Sequence, residues 1–182
     1  MFVQFTKLCT FKTSMKKFVF YSLCLFLVAC STTKPKKPKM GYGKMTFNEV
    51  SHGTYTLGKK ETHEALNTPL GTTSTINGVT LIAETDTIEG TLGNAFGAEF
   101  RFESDYDKDV RLIKVWNFPT MTNEKGESYT RIESEVTLST NYTSFTTYEF
   151  EKDFEIVPGN WRLLFFYKDK LIYDKTFFVV KK

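Results

Sequence analysis

From Met45 to the C-terminus the chain alternates apolar and polar positions with a period of two, broken at short intervals by turn residues. That period belongs to strands, whose successive side chains point to opposite faces. The pattern predicts strands over residues 47–57, 79–88, 98–102, 110–116, 130–138, 145–154, 161–167 and 171–180. Within them, Phe100 and Phe102 share a face opposite Glu99 and Arg101, and Ile132, Ser134, Val136 and Leu138 share another. Turns are expected at Asn77-Gly78, 104–109, 123–126, Pro158-Gly159-Asn160 and 168–170. Residues 58–77 read as a loop holding one turn of helix near 61–66, and 117–129 as a second loop. The last strand is the most hydrophobic and is expected to be central. No stretch of this region holds a 3.6-residue apolar period for three turns, so a helical class is excluded. The fold expected is all-β: an immunoglobulin-like antiparallel β-sandwich of about eight strands.

Composition supports a packed core, with 18 Phe, 9 Tyr and 2 Trp among 182 residues. The three cysteines stand at positions 9, 24 and 30, so a domain starting at residue 45 has no disulfide and no thiolate metal site. The net charge of +3 averages unlike segments. Residues 1–44 hold nine lysines and no acid, which leaves 15 basic groups against all 21 acidic ones and a net of −6 beyond them. A mildly acidic domain gives no electrostatic support for binding nucleic acid.

The N-terminal segment carries a separate message. Met15-Lys16-Lys17 precedes a 12-residue apolar run, 18–29, that ends at Cys30. A bilayer-spanning helix needs about 20 residues, so this run suits a signal peptide and not an anchor. Its end, Leu27-Val28-Ala29-Cys30, resembles the bacterial lipobox. In that motif a small residue fits the signal peptidase, and the cysteine thiol takes a diacylglyceryl lipid before cleavage. Residues 1–29 are therefore expected to be removed, with Met15 as the true initiator, leaving Cys30 lipidated. Residues 30–44, with Pro35, Pro38 and five lysines, read as an extended basic tether to the domain 45–182. Ser31 after the cysteine points to an outer membrane, facing the periplasm, in a cell with two membranes, and otherwise to the outer face of the cell membrane.

Four short blocks belong together: Gly53-Thr54-Tyr55, residues 94–100, Pro158-Gly159-Asn160-Trp161, and residues 174–180. They resemble a family of exported bacterial domains of unknown function with an immunoglobulin-like β-sandwich. The resemblance covers about residues 48–180 and implies no assigned activity and no catalytic residues.

Candidate chemistry is sparse. The histidines are His52 and His63, and Ser51-His52 with nearby carboxylates invites a triad, but no nucleophile-elbow pattern accompanies it. Asp105, Asp107 and Asp109 open like an EF-hand loop, but Val110 stands where the glycine belongs and Trp116 where the glutamate belongs. Two histidines without cysteine make a poor zinc site. Glu133 and Glu135, and the series Glu149, Glu151, Asp153 and Glu155, alternate as outward-facing strand positions do. Trp161, Phe165, Phe166 and Tyr167 read as core, and Gly90, Gly93 and Gly97 as turn or bulge residues. No catalytic residue, metal or cofactor is therefore assigned.

Two functions remain. The first is a membrane-tethered protein-interaction or envelope accessory module, with an exposed edge strand as the expected contact. The second binds a carbohydrate, peptide or small ligand through loops at the end of the sandwich, with Trp116 and Tyr129 as candidate ligand-loop residues. A pocket lined by either residue favours the second reading, and a flat apolar edge favours the first.

Overall fold

The computed structural model describes residues 45–181. Nine strands follow in order: β1 (Thr46–Glu64), β2 (Thr72–Glu84), β3 (Thr87–Gly90), β4 (Ala95–Glu103), β5 (Asp109–Thr122), β6 (Ser128–Ser139), β7 (Thr143–Glu149), β8 (Gly159–Tyr167) and β9 (Lys170–Lys181). A 3-10 turn, Asp153–Glu155, lies between β7 and β8. The strands form two sheets, ordered β2-β1-β4-β7 and β3-β9-β8-β5-β6. All pairings are antiparallel except β3 with β9, which runs parallel.

The two sheets meet through their apolar faces. Phe96, Phe100 and Phe102 of β4 oppose Trp161, Leu163 and Phe165 of β8, and all six are buried. Phe100 and Phe102 point inward together, as their spacing predicts. Within the first sheet, β4 and β7 approach closely at Gly97. A Cβ on Gly97 would lie 2.0 Å from the Thr146 carbonyl oxygen, so only glycine fits between β4 and β7 there.

Several boundaries differ from the sequence reading. The expected strand 79–88 is two strands: β2 stays in the first sheet, and after Thr85-Asp86 the chain crosses to the second as β3. This crossing makes the ninth strand and the one parallel pair. The expected loop 58–77 is mostly strand, because β1 and β2 run on as a long hairpin to a tip at residues 65–71. Asn77-Gly78 is no turn but lies within β2, where Gly78 takes a φ of +86° opposite Gly58. The loop 117–129 shrinks likewise to residues 123–127, the tip of the β5–β6 hairpin. β9 is an interior strand rather than the central one, which is β8. The expected strand 145–154 stops at Glu149, since Phe150 turns inward and its backbone pairs with Gly93 and Asn94.

Candidate functional site

The inward face of β5 reads Val110, Leu112, Lys114, Trp116, Phe118. Four of these five are apolar and buried, and Lys114, itself half-buried, shares their register. Its partner across the β5–β6 ladder is Ser134, set between the pairs Leu112–Val136 and Trp116–Ile132. Directly opposite residues hold their Cβ atoms about 5 Å apart, so a cation and a hydroxyl stand side by side in an apolar row.

Neither group is satisfied by the protein. Ser134 Oγ is buried with no hydrogen-bond partner. Lys114 makes no hydrogen bond or ion pair among the described residues, and desolvation pushes its pKa down from the ordinary 10.5. Both border a cavity of about 280 Å³ at one side of the sandwich. Its floor includes Trp116, 2% exposed, and Ile132. Its far wall is Thr147 and Tyr148 of β7 together with Glu155.

The β1–β2 hairpin closes this cavity. Its tip is tied by its own bonds: Ala65 N–H donates to Gly71 O at 2.9 Å, and Gly71 N–H to Thr68 O at 3.0 Å. The Thr68 hydroxyl lies 2.9 Å from the Ala65 carbonyl oxygen and 2.8 Å from that of Thr72. Asn123 of the β5–β6 tip donates to Pro69 O at 3.2 Å and joins the two hairpins. Lower on the arm, the Lys60 ammonium donates to Glu149 at 2.7 Å and to Glu151 at 2.5 Å. Desolvation opposes the Lys60 charge, but these two carboxylates outweigh it and hold its pKa above the usual value. Leu66 and Leu70 of the tip thereby line the cavity.

Glu155 corrects a sequence reading. It was expected to face outward on a strand but is fully buried, because the chain turns at the 3-10 segment. Its carboxylate accepts the Tyr148 hydroxyl at 2.6 Å and the Glu151 and Lys152 N–H groups at 2.8 and 2.9 Å. Burial pushes its pKa up, against the pull of those three donors. Tyr148 is raised strongly as well, first by burial and then by Glu155.

An unpaired cation in such a place destabilises the fold. We expect Lys114→Met to raise the unfolding free energy by about 1–2 kcal/mol at neutral pH. The sign with pH follows from the lowered pKa. Between the folded value and 10.5 the unfolded chain binds more protons, so the wild type gains stability as pH rises there. The variant lacks that gain, so the gap closes above 10.5. Urea melts of both proteins across alkaline pH check this, and a less stable variant contradicts it.

The other sequence candidates lie elsewhere. Tyr129 is half-buried on β6, donates to Glu127 at 3.0 Å, and does not line the cavity. Ser51 bonds Glu99 at 2.8 Å and Tyr55 at 3.0 Å, whereas His52 contacts Glu49 at 2.8 Å and Asp86 at 3.2 Å, so the two form no dyad. His63 meets Thr75 at 3.2 Å. Asp107 accepts from Asn141 and Asp109 from Ser139. Among the described residues no group of three or more His, Cys, Asp or Glu is placed to hold a metal ion. Glu133 and Glu135 are exposed on β6, as expected. Leu27, Val28, Ala29 and Cys30 lie outside the described residues, as do the initiator and the tether.

Comparison with known proteins matches the profile of a domain of unknown function, DUF3859, to residues 43–179. The chain belongs to the DUF3859 family. A crystal structure of an immunoglobulin-like protein from Pseudomonas aeruginosa is similar to this DUF3859 domain, with a TM-score of 0.58 and 20% identity. The match covers 77% of this chain and 99% of that one. At that identity it establishes the immunoglobulin-like fold alone. No curated protein matches the DUF3859 chain. The family resemblance read from the four short blocks therefore holds for both domain and fold.

Proposed function

We propose that the protein is an exported lipoprotein, anchored through Cys30, whose β-sandwich binds a small ligand without catalysing its conversion. The cavity beside Trp116 carries the binding half of this reading. Ligand sites are concave, largely apolar and furnished with a few converging polar groups, and a volume near 280 Å³ falls just below their usual range of about 300–1,000 Å³, the size of a small ligand. The lipobox-like Leu27-Val28-Ala29-Cys30 and the lysine-rich tether support the anchoring half. They imply a place in the cell envelope, with the domain held near the membrane surface.

Contact with an envelope protein is the second reading. β2 is the outer strand of its sheet and runs for 13 residues, with Leu81 36% and Ile82 64% exposed. Such an edge can accept another strand. It is rich in threonine rather than broadly apolar, and its pairing is interrupted at Thr54/Tyr55, which makes it the weaker candidate.

Metabolic labelling with a clickable fatty acid tests the anchor. Label in the wild type and none in Cys30→Ala is the expected result, and label in neither protein contradicts it. Fluorotryptophan NMR tests the cavity, since Trp116 and Trp161 give two signals and Trp116→Phe assigns them. A mixture of small neutral and charged fragments is expected to shift the Trp116 signal and leave that of Trp161 in place. An unmoved Trp116 signal contradicts the ligand reading.

A further inference from the structure

The charged groups lining the cavity divide into those held by hydrogen bonds or an ion pair and one that is not. Glu155 is matched by three donors: the Tyr148 hydroxyl and the N–H groups of Glu151 and Lys152. Glu133, at the rim, is held by Arg131. Lys114 has no such partner, and neither does the Ser134 hydroxyl opposite it. The unmet demand of this site is thus for negative charge and for a hydrogen-bond acceptor, at one place. A half-buried, desolvated cation without a partner is costly, and an anion placed against it offsets that cost.

We infer that the cavity takes a small organic acid, its carboxylate held by Lys114 Nζ and Ser134 Oγ. The inference rests on the ligand reading above and names the chemistry of that same site. One carboxylate oxygen accepts from the ammonium and the other from the hydroxyl, which satisfies both groups together. A single lysine without arginine suits one negative charge better than a phosphate dianion, for which forked donors are the usual complement. The body of the acid is apolar and compact. Trp116 and Ile132 receive it on one side and Leu66 and Leu70 of the hairpin tip on the other. The docked tip keeps that side in place before any ligand arrives, which lowers the ordering cost of binding.

The test uses the full chain labelled with fluorotryptophan and two molecules of nearly one shape, benzoate and its neutral amide, benzamide. Benzoate is expected to shift the Trp116 signal saturably, with an affinity about tenfold or more above that of benzamide. Lys114→Met is expected to remove that preference, with benzoate falling about tenfold and benzamide unchanged, while Lys114→Arg keeps it. The Trp161 signal, held in place in each variant, reports that the core is intact. Equal binding of both molecules, unchanged in Lys114→Met, overturns the organic-acid assignment and leaves a cavity that binds neutral ligands. No shift from either molecule overturns the ligand reading and the assignment with it.

Discussion

Replacing Trp161 by alanine is expected to lower the unfolding free energy by about 4 kcal/mol, near the top of the range for a single core truncation. The indole is fully buried on β8. Its ring centroid lies 4.8 Å from Phe118, 4.9 Å from Tyr148, and 5.6 Å from each of Phe96 and Phe150. These rings come from β4, β5, β7 and the turn after it, so the indole is where both sheets meet. Its Nε1–H also donates to Val157 O at 2.9 Å, and truncation removes that half-buried carbonyl's donor. In a domain of this size the loss corresponds to a melting point lower by about 10–20 °C. Calorimetry checks it, and a loss under about 1 kcal/mol would mean that the aromatic cluster relaxes around the hole.

Glu155→Ala is the second large effect, expected at about 3–4 kcal/mol. The substitution removes one acceptor group and strands three donors at once: the Tyr148 hydroxyl and the N–H groups of Glu151 and Lys152. Each buried donor left unmet costs about 1–3 kcal/mol, and partial entry of water through the cavity recovers some of it. Glu155→Gln keeps the shape and one acceptor oxygen, and about half of the loss is expected to return. Equal losses for the two variants would show that the charge matters and the hydrogen bonds do not. Tyr148 links the effect to the site, since it lines the cavity and is oriented by Glu155. A site that costs stability, as Lys114 does, is held here by a satisfied carboxylate on the opposite wall.

The architecture was legible because its signal is periodic and repeated. Alternation at Phe100 and Phe102, or at Ile132 and Val136, marks a half-buried strand wherever it occurs. Strand ends were less legible, since the polar residues of the β1–β2 arm look like loop until a second hairpin supports them. Asn77-Gly78 carries the chemistry of a tight turn, yet here the glycine serves a positive φ within a strand opposite Gly58. The burial of Glu155 had no local signal. Alternation continues through Glu149, Glu151 and Asp153, while the backbone leaves the sheet at Phe150 through bonds to Gly93 and Asn94, far away in sequence. Lys114 and Ser134 could have been found. Each is a polar residue in the inward register of an otherwise apolar strand, Lys114 between Leu112 and Trp116, Ser134 between Ile132 and Val136. Such a break in pattern is where a functional site is expected. Trp116 lines the cavity from strand β5 and not from a loop. Tyr129 was chosen for its place in a loop that is strand.

Small molecules are expected to bind beside Trp116 and not along the β2 edge. Amide chemical-shift mapping of the protein with the same fragment mixture tests it across the whole domain. Shifts are expected to gather at residues 65–73, Lys114, Trp116, Ile132 and Ser134, with Leu81 and Ile82 unmoved. Shifts confined to the β2 edge, or none within the cavity lining, would contradict it.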